Sequence, residues 1–217
     1  MMTDIKYPNL NYEVGREIYR DRYIAGVDEV GRGSWAGPVS VGIVVLDLKD
    51  LGASKKLLES DLDDSKKLSP KKRSEMYKLI ESTVTDFAVG HSNSDICDQF
   101  GMTFAIQAAA VNAIDQLSVK PDHYLVDGIC DLVPNALQTC IPKGDSICIS
   151  IAAASVVAKV TRDKMMQQLE ESYPGYDFFH NKGYPSKTHI RSLRQLGPCE
   201  IHRTSWRFME NISHYEC

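Results

Sequence analysis

None of the six cysteines, at 97, 130, 140, 148, 199 and 217, forms a CxxC pair, and no regular spacing links them. A chain of 217 residues is too large to depend on disulfides, so this pattern excludes a disulfide framework and argues against a zinc site. Reduced thiols in or near the core are expected instead. No apolar run is long enough to span a bilayer, and the opening MMTDIKYPNLNYEVGREIYRDRY has no basic stretch followed by an apolar one. The expectation is a cytoplasmic protein without a membrane partner. Internal repeats and low-complexity linkers are absent too. Net positive charge is missing as well: 25 Lys and Arg face 29 Asp and Glu, a balance of −4 that argues against a generic nucleic-acid binder.

What is present is ordinary globular composition, 43% hydrophobic and 25% charged, in a length that suits one domain with a small appendage. The charge is unevenly spread. From His180 to Phe208, six basic residues (Lys182, Lys187, Arg191, Arg194, Arg203, Arg207) face one acid, Glu200, so this segment is +5 and the remainder −9. SKKLSPKKR at 65–73 adds five more bases. Charge runs are usually solvated faces, but both clusters flank acids, as a phosphate track beside a metal site requires.

YIAGVDEV and VSVGIVVLD read as two strands joined by a Gly-rich turn, and VTDFAVGHSN (84–93) as a third, which suggests an antiparallel meander. SPKKRSEMYKLIESTV reads as a helix with Ser69 as N-cap and Pro70 in the first helical position. One Ala-rich helix is expected over 98–117, a short strand in DHYLVDG (122–128), a long helix over 150–173, and a shorter one in SKTHIRSLRQLG stopped by Gly197. This order describes an α/β sheet with mixed strand directions.

Acids fall at element ends: Asp28 and Glu29 close the first strand, Asp127 closes YLVDG, and Asp145 precedes the long helix. Neighbouring strand residues point to opposite faces, so Asp28 and Glu29 can share a site only if the backbone twists or bulges; Gly26 and Gly31 beside them would allow that. Four converging carboxylates repel one another, and a hard divalent cation removes that penalty. Oxygen ligands without His or Cys favour Mg²⁺ or Mn²⁺, and four acids suit a pair of ions that clamp an in-line phosphoryl displacement. Asp28-Glu29, beside an apolar strand and a Gly-rich turn, has no packing role, but the other acids also have plainer readings. Asp127 before Gly128 suits a turn, Asp145-Ser146 a cap, and Asp163 in TRD a helix salt bridge, so Asp163 stays outside the candidate set. Tyr184 could simply cover core and Lys66 be one more solvated lysine. His189 and His202 are assigned to packing or phosphate contact, because an activated water at a metal needs no histidine.

GVDEVGRGSWAGPV, DDSKKLSPKKR, YLVDG, KGDSICISIAAASVVAKVTRD, NKGYPSKTH and GPCEIHRTSW resemble ribonuclease HII, the type 2 ribonuclease H family, in order and spacing, and the resemblance covers nearly everything from Ile24 to Trp206. The resemblance implies a ribonuclease H-like fold, a mixed five-stranded sheet flanked by helices with a helical C-terminal part. It divides the chain into an N-terminal extension (1–22) and a catalytic domain (23–217). It implies cleavage of the RNA strand of RNA–DNA hybrids and incision of DNA at single embedded ribonucleotides, with Mg²⁺ or Mn²⁺, two ions in the substrate complex. The family's metal-binding acids match Asp28, Glu29, Asp127 and Asp145. Its backbone contact to the ribonucleotide 2′-hydroxyl matches Gly31-Arg32-Gly33. Its junction-stacking tyrosine matches Tyr184, and a phosphate-contacting lysine matches Lys66. Ser34-Trp35 and Pro185-Ser186 depart from the family's usual residues.

The related ribonuclease HIII carries an N-terminal substrate-binding domain, for which the roughly two dozen residues before the first strand are too few. A hybrid-binding protein without activity would be expected to lack some of the acids, and a junction resolvase of the same fold has no use for a 2′-hydroxyl loop. A monomer is expected, and the closing ENISHYEC shows no clear docking peptide for a replication clamp.

Overall fold

The computed structural model describes residues 8–15 and 21–210. Five strands form one sheet: β1 (Tyr23–Val30), β2 (Val39–Asp47), β3 (Asp86–Ser92), β4 (His123–Asp127) and β5 (Gln138–Ile141), in the spatial order β3-β2-β1-β4-β5. β1, β2 and β3 make the expected antiparallel meander, while β4 and β5 add on in parallel to β1. β5 is the strand that residue patterning alone did not place. It is four residues long and lacks an alternating apolar face.

The helices are α1 (Leu51–Glu59), α2 (Pro70–Glu81), α3 (Ser94–Phe100), α4 (Met102–Ile114), α5 (Ile149–Ser172), α6 (Phe178–Asn181), α7 (Lys187–Leu196) and α8 (Arg207–Glu210). α2 starts as its sequence signals, with the Ser69 hydroxyl accepting the Lys72 N–H at 3.3 Å and Pro70 next. The single helix expected over 98–117 is two. Gly101, at φ +84, ends α3 by donating to the Cys97 carbonyl and turns the chain into α4.

α4 and α5 cover opposite faces of the sheet. Ala25, Val27, Val41 and Ile43 pack on Ala105, Ile106, Ala109 and Ala113 of α4, whereas Ile24 and Leu125 pack toward Ile151 of α5. Burying each such branched side chain contributes about 1.5–3 kcal/mol. Glycine sets the spacing on the α5 side: a Cβ at Gly26 would overlap the Ser150 backbone, and one at Gly42 the Ala154 carbonyl. Gly26 therefore serves helix-to-sheet contact. No bulge accompanies it, because β1 stays in register with β2 through Val30 opposite Ser40.

Within the expected N-terminal extension, Asn9 bridges to Cys148, and the fully buried Glu13 accepts the Ser150 N–H at 2.9 Å and its hydroxyl at 2.7 Å. This segment is seated on the start of α5. Residues 1–7 and 16–20 of the extension, and the 211–217 tail with most of ENISHYEC, lie outside the described residues. The five described cysteines are all free, Cys97 and Cys148 buried and Cys130 exposed. Among the described residues no helix is long and apolar enough to cross a membrane.

Candidate active site

Three carboxylates meet where the central strands end: Asp28, Glu29 and Asp127 each place an oxygen within 4.8 Å of the others. Asp28 shares the α5 face of β1 with Ile24 and Gly26, and Asp127 shares that face of β4 with Leu125. Glu29 starts from the opposite face of β1. The ladder has no bulge, yet an oxygen of its longer side chain joins them. Asp28, 4% exposed, also accepts the Glu29 N–H at 2.8 Å. Its carboxyl is held well above the usual range by burial and then by the charges of Asp127 and Glu29, with Lys66 pulling the other way. Asp127 is raised by burial and by Asp145, although the Gly144 N–H donates to it at 2.7 Å.

Asp145 sits in a single 3₁₀ turn, Gly144–Ser146, just before α5. It stands next to Asp127 and pairs with Lys66 across 3.6 Å, outside the tight group of three. Asp28, Glu29, Lys66, Lys159 and Tyr184 share the lining of one cleft of about 220 Å³. Every acid there is a hard oxygen donor, without His or Cys among them, and the mutual repulsion that adds to burial in raising Asp28 is what a divalent cation relieves. The residues thus fit Mg²⁺ or Mn²⁺.

The turn after β1 is joined to Tyr184, whose hydroxyl accepts the Gly31 N–H at 3.1 Å. Gly31 is at φ +88, a conformation that favours glycine. A Cβ at Gly33 would meet nothing within 4 Å, so the backbone there is open to an incoming ligand. The exposed Arg32 side chain lies 3.6 Å from Glu29.

Two fully buried arginines that sequence reasoning passed over hold this turn from below. Arg162 donates to the carbonyls of Pro38, Ala36 and Lys182 and to the Ser34 hydroxyl, and its guanidinium lies over the Tyr184 ring. Arg203 donates to the carbonyls of Arg32, Ser34 and Gly37. Arg203 is therefore no part of a surface phosphate track, although it counts among the bases of the C-terminal segment. The available signal was spacing: Arg162 lies four residues from both Ala158 and Met166, on the buried face of α5.

The remaining assignments separate cleanly. Asp163 pairs with Lys159 at 2.8 Å within α5, the structural role expected of it. His189 and His202 are buried, which selects packing over phosphate contact. A basic groove of about 500 Å³, lined by Arg73, Lys159, Lys164, Lys182 and Tyr184 among others, runs from the acid cleft, with which it shares Lys159 and Tyr184.

This strand order, with carboxylates clustered at the ends of the two central parallel strands, defines an α/β enzyme of the ribonuclease H-like class. Residues 25–209 match the family model described as Ribonuclease HII. Curated ribonuclease HII proteins of Streptomyces griseus and Geobacter sulfurreducens are each 42% identical, over 90% of this chain and 81% and 88% of theirs. The chain belongs to the ribonuclease HII family and is an endoribonuclease. Among solved structures, ribonuclease H2 of Pyrococcus horikoshii superposes with a TM-score of 0.72 at 27% identity, covering 88% of this chain and 96% of that one. A Bst-RNase HIII in complex with Mn²⁺ shares the fold at a TM-score of 0.64 and 18% identity, covering 88% of this chain and 69% of its own.

Proposed function

We propose that this endoribonuclease hydrolyses the RNA strand of RNA–DNA hybrids and incises duplex DNA on the 5′ side of a single embedded ribonucleotide, leaving 3′-hydroxyl and 5′-phosphate ends. The observation that carries the reading is the close approach of three acids, with Asp145 beside them, next to a backbone turn open at Gly33. Residues 23–217 act as the catalytic unit, as a monomer.

Asp28, Glu29, Asp127 and Asp145 would hold two Mg²⁺ or Mn²⁺ ions. Such ions supply an activated water and neutralise the charge that develops on a phosphodiester during in-line displacement. The chain's own groups do the rest. Lys66, balanced between the acids and solvent, meets the phosphate that enters the cleft. The Gly31–Gly33 backbone approaches the 2′-hydroxyl, the one group that separates ribose from deoxyribose, while the exposed Arg32 side chain flanks the turn. Tyr184, fixed by the Gly31 N–H, offers its ring to the deoxyribose that follows the ribonucleotide. The basic groove tracks the backbone without reading bases.

The test is a labelled DNA duplex containing one ribonucleotide, beside an all-DNA control and a long hybrid, with Mg²⁺, Mn²⁺ or chelator. Metal-dependent incision 5′ to the ribonucleotide with the control intact is expected. Cutting of long hybrids alone would remove the turn and Tyr184 from the reading, and a fully active Asp28→Asn variant would remove the metal assignment.

A further inference from the structure

Behind Tyr184 lies a pair of histidines that the chemistry above does not use. His189, in the first turn of α7, and His202, in the segment after it, are buried and face each other Nε2 to Nε2 at 3.0 Å. Two identical ring nitrogens can bond only if one carries the hydrogen and the other does not. Their outer nitrogens decide which. His189 Nδ1 lies 3.0 Å from the Tyr184 carbonyl, which only accepts, so Nδ1 carries the hydrogen and the Nε2 of the neutral ring is bare. His202 Nδ1 receives the Cys199 N–H at 2.9 Å, so it is bare and Nε2 carries the hydrogen. The Cys199 carbonyl is farther from that nitrogen, at 3.2 Å, and accepts the His202 backbone N–H, whereas a hydrogen on Nδ1 would oppose the closer Cys199 N–H. Both ends impose the same direction. The chain of donors runs from Cys199 N–H to His202, to His189, to the Tyr184 carbonyl.

We infer that His189 and His202 are positioning residues: as a one-directional hydrogen-bond relay they fix the backbone of Tyr184 and so aim its ring at the RNA-to-DNA junction. Tyr184 is then tied at three points, since its N–H donates to the Asn181 carbonyl and its hydroxyl accepts from Gly31. The inference rests on the junction-reading role proposed for Tyr184.

The relay works only with both rings neutral, because one added proton sets N–H against N–H. Its surroundings keep it neutral. The rings of Trp35, Tyr176 and Phe178 enclose the pair, and the groups that face it are the Cys199 thiol, 3.1 Å from His202 Nδ1, and Asp177 on the side of His189. Burial and then the neighbouring His189 push His202 down to about 4, and burial lowers His189 despite the Tyr184 carbonyl and Asp177.

Long-range proton–nitrogen correlation on ¹⁵N-labelled protein near neutral pH reads the tautomers directly. The expected result is His189 hydrogenated at Nδ1 and His202 at Nε2; reversed tautomers or a charged ring would overturn the relay. In activity, His202→Leu should lower incision at a single ribonucleotide by roughly tenfold, the scale of one buried hydrogen bond, relative to cleavage of a long hybrid. His202→Gln, whose amide can still donate to His189, should recover most of that ratio. Equal losses on both substrates, with no rescue, would mean that the pair only supports the fold. If Tyr184→Ala left the substrate ratio unchanged, the junction reading itself would fall, while the tautomer spectrum would still decide the relay.

Discussion

Replacing Asp28 with Asn should make the metal-free protein more stable, an unusual outcome for a change at a buried site. Asp28 is nearly inaccessible and has two other carboxylates within 4.8 Å; at an effective dielectric constant of about 20, each like-charged pair at that distance costs about 3.5 kcal/mol. Lys66 and solvent screening at the open cleft offset part of this repulsion. A net gain of roughly 1–3 kcal/mol follows, which for a domain of this size raises Tm by roughly 3–10 °C. Asparagine keeps the shape and can still accept the Glu29 N–H. The assay is thermal unfolding near neutral pH, first in chelator and then with Mn²⁺. Wild type should gain stability from the ion, and the variant should start higher and gain less. A variant that melts at or below wild type in chelator would show that the acids do not repel one another in the folded state, and the argument for a cation site would lose its energetic basis.

Gly26→Ala should cost about 1–3 kcal/mol in urea unfolding, since the added methyl meets the Ser150 backbone and α5 must move away; an unchanged midpoint would refute the close-packing account. Burial raises the Glu13 carboxyl above its ordinary 4.5. Wild-type stability should therefore fall as pH rises from that value through the raised one, and Glu13→Gln should flatten this part of the Tm-against-pH curve while still accepting from Ser150. His202 has the opposite sign. Its folded value, about 4, lies below the ordinary 6.5, so the unfolded chain takes up protons first and stability should fall as pH drops through that window, a slope that His202→Gln should reduce.

The acids could be found in the sequence because strand ends and Gly-rich turns are local signals, and an acid there has no packing use. How Glu29 joins the site could not. It depends on the one methylene by which Glu exceeds Asp, set on a ladder without a bulge, and the register of that ladder is not visible until the strands are paired. Arg162 and Arg203 were hidden by their chemistry. An arginine reads as surface until the carbonyls it must satisfy are in place, and those of Arg162 come from residues 20 to 126 positions away. Gly101 was visible, yet a glycine inside a helical pattern costs only about 1 kcal/mol, too little to mark a break by itself. The histidine pair needed both ends of its hydrogen-bond chain before either tautomer had meaning.

α5 touches both halves of the proposed chemistry. Ser155 lies against Asp28, and Arg162, seven residues later on the same side, grips the turn and Tyr184. Two turns of helix separate them by about 10.5 Å, a length set by backbone hydrogen bonds and insensitive to side-chain motion. Under the proposed function the helix is thus a gauge that would measure where the strand is cut from where the sugar is felt, and a whole-residue insertion between Ser155 and Arg162 would shift the gripping residue by about 100° around the axis as well as along it.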